Sequence, residues 1–203
     1  MKSLKNNGAQ LVRFQRAFLF MYSRWMRKIL GKEFFERNTV IVAKELLGKF
    51  LVRKVGRKEI ALMITETEAY DGPPDLGSHS SKGRTERTEV LFGPSGIWYV
   101  YIIYGLHNML NIVTKRPGAA VLIRGIESYP KPGTLTKALS ITRDLNKKPH
   151  SKKSGLWIED RGIFFSKSQI EAGPRIGIAY AKEWAQKPWR FVVRPGAKPN
   201  MIQ

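Results

Sequence analysis

The stretch Glu59-Ile-Ala-Leu-Met-Ile-Thr-Glu-Thr-Glu68 follows the run Phe50-Leu-Val-Arg-Lys-Val55, with a break at Gly56-Arg57. Both runs are rich in aliphatic and β-branched residues, and a glycine between two such runs favours a tight turn. The sequence therefore predicts a β-hairpin, whose second strand is long, strongly apolar and ends in two carboxylates.

Other elements can be predicted on both sides of this hairpin. Asn38 is expected to cap a helix that runs to about Leu47, where Gly48 fits its end. A second hairpin is predicted at Ile97–Tyr104 with His107–Thr114, followed by a strand at Ala119–Ile126. A short helix is predicted at Leu135–Ile141. Residues 71–96 are expected to form a long loop, and the Lys-rich residues 143–155 are expected to be mobile. The predicted fold is a single α+β domain, with a curved, mostly antiparallel sheet, surrounding helices and a protruding hairpin at Ile97–Thr114.

The charge of the chain points to a polyanionic partner. Lys and Arg number 36 against 16 Asp and Glu, for a net charge of +20. Nucleic acid is the leading candidate, and a membrane surface or a ribosomal assembly stays open. The chain has no cysteine and only 3 histidines, which excludes disulfides and a Cys nucleophile and makes a catalytic metal site unexpected.

Residues 1–32 are a basic extension that precedes a predicted domain at 33–203. Within the extension, the stretch from Leu11 to Met26 is typical of a basic, aromatic helix. A DNA-binding arm, a non-essential extension and an organelle-targeting peptide are all compatible with this composition.

The sharpest local pattern is Glu66-Thr-Glu-Ala-Tyr70 at the end of the long apolar strand. Residues two apart on a strand share a face, so Glu66, Glu68 and Tyr70 are expected to project together. The pattern suggests a catalytic strand end that leads into a Gly- and Pro-rich loop. A solvated strand terminus explains the same residues.

Further candidates come from the loop and from the later strands. His79 and Arg84 lie in the Gly- and Pro-rich loop, where a histidine could contact a base or simply be exposed. Tyr104 precedes Gly105 at the predicted hairpin tip, where an exposed ring could act as a wedge between stacked bases. Arg124 ends an apolar strand and either reaches solvent or meets an anion.

Together these segments resemble the alkyladenine (3-methyladenine) DNA glycosylase family over about residues 34–194. The matching pieces occur in family order: Glu66-Thr-Glu-Ala-Tyr70, Gly72-Pro73 with Ser78-His-Ser80, Tyr99-Val-Tyr-Ile-Ile-Tyr-Gly105 with Asn111, Ala120-Val-Leu-Ile-Arg124, and Pro174-Arg-Ile-Gly-Ile178 with Glu183-Trp-Ala185 and Lys187-Pro-Trp-Arg-Phe191. The chain departs from the family after Arg124, where it is shorter, and Lys131 stands where the family has the first glycine of a Gly-Pro-Gly motif.

The resemblance implies roles for individual residues. Glu68 would be the general base, and Arg124 and the carbonyl of Ile178 would help to hold the attacking water. The residues that would hold the flipped base are Tyr70, His79, Tyr101 and Asn111. The residues that would contact the duplex are Tyr104 and Arg84. Tyr104 would fill the gap in the duplex, and Asn111 would crowd the exocyclic amine of normal guanine.

The function that these roles imply is hydrolysis of the N-glycosidic bond of damaged purines by a monofunctional enzyme, without a cofactor or a metal. The expected partner is double-stranded DNA with a damaged base, the expected state is a monomer, and no membrane is involved. The protein would act in the cytoplasm or nucleoid of a prokaryote or in the nucleus of a eukaryote. A degenerate nucleic-acid-binding relative without catalysis is the alternative.

Overall fold

The computed structural model describes residues 27–202. In chain order, the helices and strands are β1 (Lys28–Ile29), α1 (Lys32–Phe35), α2 (Thr39–Glu45), β2 (Phe50–Val55), β3 (Lys58–Asp71), β4 (Trp98–Ile103), β5 (His107–Val113), β6 (Ala119–Ile126), α3 (Pro132–Ala138), β7 (Leu156–Asp160), β8 (Ile163–Phe164), β9 (Ile170–Gly173), β10 (Arg190–Val193) and β11 (Asn200–Met201). Short 3₁₀ helices lie between them at His79–Lys82, Glu89–Phe92, Arg143–Leu145, Lys167–Gln169 and Ala179–Gln186.

The main sheet is antiparallel throughout the described residues and has the strand order β1-β7-β2-β3-β6-β5-β4, with β10 pairing to β3 and to β9. Strand β3 therefore pairs with β2 at its start, and with β6 and β10 at its end. Strands β8 and β11 form a separate small sheet. The predicted α+β fold and both predicted hairpins are confirmed.

The core lies between one face of the sheet and the helices. Asn38 caps α2 as predicted, because its side chain accepts hydrogen bonds from the backbone N–H groups of Val40 and Ile41. The helix packs on β3, where the Thr67 hydroxyl donates to the carbonyl of Ala43 at 2.7 Å. Thr67 and Ala69 at the end of β3 thus face the core, and Glu66, Glu68 and Tyr70 face the other side of the sheet.

Two predictions differ from the structure: the bounds of one helix and the mobility of residues 143–155. The short helix expected at Leu135–Ile141 lies at Pro132–Ala138, because Pro132 occupies the first turn, where its missing N–H costs nothing. The Lys-rich segment 143–155 is anchored to the start of β4, where Trp98 donates to the carbonyl of Lys148 and Lys147 donates to that of Trp98. The buried Leu145 holds this segment against the core.

The basic extension lies mostly outside the described residues, and so does the helix predicted from Leu11 to Met26. Residues 28 and 29 pair with β7, and the Arg27 guanidinium binds the carboxylate of Glu159. The sheet thus includes residues before position 33, and the division of the chain into an extension and a domain stays a prediction.

Candidate active site

Glu66, Glu68 and Tyr70 lie on the face of β3 that points away from the core, as strand alternation predicts. The Tyr70 hydroxyl donates to Glu68 Oε2 at 2.8 Å. Pairing with β6 is irregular between Glu66 and Thr67, and Gly125 lies opposite Glu66. A Cβ at Gly125 would come within 3.1 Å of the Glu66 Cβ, so the glycine permits this close approach next to Arg124.

Glu68 is a fully buried carboxylate that is surrounded by donors. Its Oε1 accepts from the backbone N–H of Ile176 at 2.8 Å and lies 3.5 Å from Arg124 Nη1. Burial raises the pKa of Glu68 above its ordinary value, although Arg124, the Ile176 N–H and the Tyr70 hydroxyl all act to lower it. The carboxylate thus combines raised basicity with three groups that stabilise its ionised form.

Glu66 is paired with two arginines. Its Oε1 accepts from Arg124 Nε at 2.9 Å and from Arg190 Nη1 at 3.0 Å. Arg124 therefore spans both carboxylates, with its Nε on Glu66 and its Nη1 close to Glu68. An interpretation of Arg124 as a solvent-seeking side chain does not hold, because its side chain is only 12% exposed.

A cavity of about 200 Å³ lies beside the residues that contact Glu68. Its walls are mainly aromatic and apolar, and they include Tyr70, His79, Tyr99, Tyr101, Asn111, Leu122, Arg124, Ile176, Ile178 and Tyr180. Tyr70, Arg124 and Ile176 line the cavity and also contact Glu68, so the carboxylate lies next to this part of the wall. The space suits one planar ring system, with rings available for stacking.

His79 is held in the cavity wall by aromatic neighbours. Its Nδ1 is 2.9 Å from the Tyr99 hydroxyl, and its ring lies edge-on to Tyr101 at a centroid distance of 4.6 Å. Burial, together with the nearby charges of Arg87 and Lys82, lowers the pKa of His79 to about 4. At neutral pH the imidazole is therefore uncharged, with one nitrogen as donor and the other as acceptor.

Asn111 lies on β5, where it forms part of the wall. Its Nδ2 donates to the backbone carbonyl of Tyr99 at 3.2 Å and lies 3.4 Å from that of Met109. These two contacts orient the amide group in the cavity wall.

The tip of the β4–β5 hairpin carries the most exposed aromatic residue near the cavity. Tyr104 is 88% exposed and has a φ of 51°, and Leu106 is 77% exposed. Positive φ is uncommon for a bulky residue, and here it turns the ring outward beside the cavity mouth. Arg84 lies in the loop before Glu89 and pairs with that residue at 2.9 Å.

Several residues of the site are not found by sequence reasoning. The Ile176 N–H and Arg190 belong to segments more than 100 residues from β3, and a local pattern carries no signal for such contacts. The buried Arg175 pairs with Asp75 and donates to the carbonyl of Ala69 at 2.9 Å, which ties the 174–178 turn to β3. The one available signal for this turn is its own Pro-Arg-Ile-Gly-Ile motif.

Neither a metal cluster nor a membrane helix is found in residues 27–202. No group of three or more histidine, cysteine, aspartate or glutamate side chains is placed there to hold a metal ion. None of the helices in that range combines the length and apolar character that crossing a bilayer requires.

These features define an α+β protein in which an aromatic cavity is backed by a buried carboxylate and an arginine. The methylpurine-DNA glycosylase family model matches residues 33–131 and 131–197. A relative from Legionella pneumophila (strain Paris) is 46% identical over 178 residues, which are 83% of this chain and 96% of the relative. Relatives from Methanocella arvoryzae and Myxococcus xanthus are 44% and 42% identical, over 80% and 81% of this chain and 91% and 90% of their own lengths.

All three relatives carry the description "Putative 3-methyladenine DNA glycosylase". The chain belongs to the methylpurine-DNA glycosylase family, and it is thus a hydrolase of the DNA glycosylase class. The two matched segments meet at Lys131, the position at which the sequence predicts a shortened stretch.

Proposed function

We propose that this protein removes damaged purines of the 3-methyladenine, hypoxanthine and ethenoadenine type from double-stranded DNA. Glu68 activates the water that hydrolyses the N-glycosidic bond. The observation that carries the proposal is the contact of the Glu68 carboxylate with cavity-lining residues. Its Oε1 lies 3.5 Å from Arg124 Nη1 and accepts from the Ile176 N–H.

The cavity receives the damaged base after the nucleotide has left the duplex. A base within a duplex cannot present its glycosidic bond, and extrusion costs a few kcal/mol. Stacking on Tyr70, Tyr101 and His79 recovers about 1–3 kcal/mol per base. Tyr104, exposed at the hairpin tip, fills the gap that the base leaves.

The chemistry is a substitution at C1′ of the deoxyribose. The bond between C1′ and the base nitrogen breaks, and its electron pair leaves with the base. The sugar develops positive charge, which the ionised Glu68 stabilises. The water oxygen bonds to C1′, while Glu68 takes the proton of this water.

Arg124 and the carbonyl of Ile178 hold the water, and Arg124 also holds the DNA backbone. Arg124 orients the water and contacts the phosphate of the flipped nucleotide. The carbonyl of Ile178 accepts from the N–H of Ala181 at 2.8 Å, and its second lone pair is available to the water. No lysine is found among the described residues that line the cavity, which favours simple hydrolysis over Schiff-base chemistry.

Asn111 contributes to selectivity. Its amide is fixed by two backbone carbonyls, so it crowds the exocyclic amine of a normal guanine. Damaged or mispaired bases are also easier to extrude, which adds a second source of selectivity.

The net charge of +20 supports binding to the phosphate backbone, and Arg84 is one of the proposed contacts. We further propose that the protein acts as a monomer, wherever the cell keeps its DNA. A non-catalytic relative would not need Glu68 and Arg124 to converge, and their separation of 3.5 Å favours the enzyme.

The proposal is tested with labelled duplexes that carry hypoxanthine, ethenoadenine or 3-methyladenine, alongside an undamaged duplex. Base release from at least one damaged duplex, with none from the undamaged one, is expected. Tight binding of all duplexes without base release would favour the non-catalytic alternative.

A further inference from the structure

Glu66, the second carboxylate of the motif, takes no part in the chemistry proposed above. It is 8% exposed. A carboxylate in this position is costly to bury unless it is paired. Its Oε1 is shared by Arg124 Nε and Arg190 Nη1, at 2.9 and 3.0 Å.

Arg190 connects this pair to the other side of Glu68. Its Nε donates to the carbonyl of Pro174 at 3.1 Å. Pro174 begins the turn whose Ile176 N–H donates to Glu68 Oε1 at 2.8 Å. Two of the three groups around the Glu68 carboxylate, Arg124 and the Ile176 N–H, are thus attached to the pair of Glu66 and Arg190.

We propose that Glu66 and Arg190 are positioning residues, which hold Arg124 and the Pro174–Ile176 turn around Glu68 and keep Arg124 from closing onto the general base. This inference rests on the proposed glycosylase function. It gives the first Glu of the Glu66-Thr-Glu-Ala-Tyr70 motif a task separate from that of the second.

The distances support such a restraint. An arginine that bonds a carboxylate directly does so at about 2.7–2.9 Å, whereas Arg124 Nη1 lies 3.5 Å from Glu68 Oε1. The Nε of Arg124 is committed to Glu66. If Glu66 were neutral, Arg124 could close on Glu68 and occupy the lone pairs that the water needs.

The charges around Glu68 predict a change in its titration. Arg124 favours its ionised form, Glu66 opposes it, and the Tyr70 hydroxyl donates to it. Arg190 lies beside Glu68 in the strand register, and burial and the charge of Glu68 both act to raise the pKa of the Tyr101 hydroxyl. Neutralising Glu66 removes a negative charge close to Glu68 and releases Arg124 from its bond to Glu66. Both changes lower the pKa of Glu68.

The experiment is a pH profile of single-turnover base excision by Glu66→Gln on whichever lesion the wild-type protein excises. We expect the maximal rate to fall about 10- to 100-fold, as for a small misplacement of reacting groups. The acidic midpoint should move down by about one pH unit or more. Affinity for the lesion duplex should stay within about threefold of wild type, because neither Glu66 nor Arg190 lines the cavity.

Glu59→Gln is the matched control, because Glu59 lies on the same strand with a side chain 37% exposed. An unchanged midpoint in Glu66→Gln, whether or not the rate falls, would overturn the proposal, because a purely structural role predicts a uniform loss. If Glu66→Gln does not fold, Arg190→Lys replaces it, since that variant keeps the charge but cannot reach both Glu66 and Pro174. Arg190→Lys should then lower the maximal rate, and a wild-type rate would equally overturn the proposal.

The combination of Glu66→Gln with Arg190→Lys provides a second readout. Residues that act through one shared bond give non-additive losses, so the double variant should be little slower than Glu66→Gln alone. Fully additive losses would contradict the shared role. Absence of base release by the wild-type protein would instead count against the proposed function itself.

Discussion

Replacing Glu68 by glutamine tests the proposed general base with little change in shape. The amide oxygen can stay where Oε1 is, accepting from the Ile176 N–H near Arg124. The amide NH₂ then takes the place of Oε2, where the Tyr70 hydroxyl can turn and accept instead of donating. The hydrogen bonds around the site are thus preserved, and what is lost is a group that can take a proton.

The expected loss follows from that single change. General base catalysis contributes about 10²–10⁴-fold to a rate, so single-turnover excision by Glu68→Gln should fall within that range. Stability should not fall, because burial raises the pKa of Glu68, which means that its charge is held at a cost to the folded state. Affinity for the lesion duplex should change by only a few-fold.

The assay measures base release under single-turnover conditions, with thermal unfolding and duplex affinity recorded for the same preparations. Glu59→Gln, an exposed substitution on the same strand, should match the wild-type rate. An excision rate of Glu68→Gln within about threefold of wild type would refute the assignment of Glu68 as the base. A large loss of affinity or stability would refute the argument from preserved hydrogen bonds.

Three further predictions concern the hairpin tip, the pH profile and the sheet edge. Tyr104→Ala should weaken binding to a lesion duplex more than to the corresponding single strand, since only the duplex has a gap to fill; equal losses in the two titrations would argue against a wedge. The rate of excision should decline on acidification with a midpoint above the ordinary glutamate pKa of about 4.3, because burial raises the pKa of Glu68. The pKa of His79 is lower, about 4, so a midpoint at or below about 4 would contradict this prediction. Burial acts to raise the pKa of Glu159, but hydrogen bonds from Arg27, Trp157 and Arg161 outweigh it and lower the pKa to about 2. The ionised Glu159 therefore stabilises the fold at pH values above its unfolded pKa, and this stabilisation is lost as the pH falls towards 2. Glu159→Gln should lower the free energy of unfolding by about 1.5–3 kcal/mol at pH 7. An equal loss at pH 7 and at pH 3 in chemical unfolding would contradict this prediction.

The strands could be predicted from the sequence because their signal is local. The period of two in Glu66-Thr-Glu-Ala-Tyr70 places alternate residues on one face, and the structure has Tyr70 bonded to Glu68 there. The break at Gly56-Arg57 likewise marks the turn between β2 and β3. Such patterns depend on neighbours within a few residues, which a single sequence displays directly.

The parts that could not be predicted depend on distant partners. Arg190 reaches Glu66 across 124 residues, and the Ile176 N–H reaches Glu68 across 108. The segment 143–155 has the composition of a loop, yet the Trp98 N–H and the buried Leu145 fasten it to the sheet. No composition or period encodes these pairings, because they depend on how the sheet brings remote segments together.

The resemblance predicts a shortened stretch after Arg124, which raises the question of what supports the strand that carries this residue. Pro132 starts α3 six residues after β6 ends at Ile126, and the helix packs on both β5 and β6. Leu135 of α3 lies in the same buried cluster as Ile123, the core-facing neighbour of Arg124.

Helix α3 also binds the strand next to β6, since the Thr136 hydroxyl donates to the carbonyl of Asn108 at 3.0 Å. The helix therefore supports the face of the sheet opposite the cavity, while Glu66 and Glu68 hold Arg124 on the near face. Arg124 is thus held beside Glu68 on the near face, and its strand is supported by α3 on the far face.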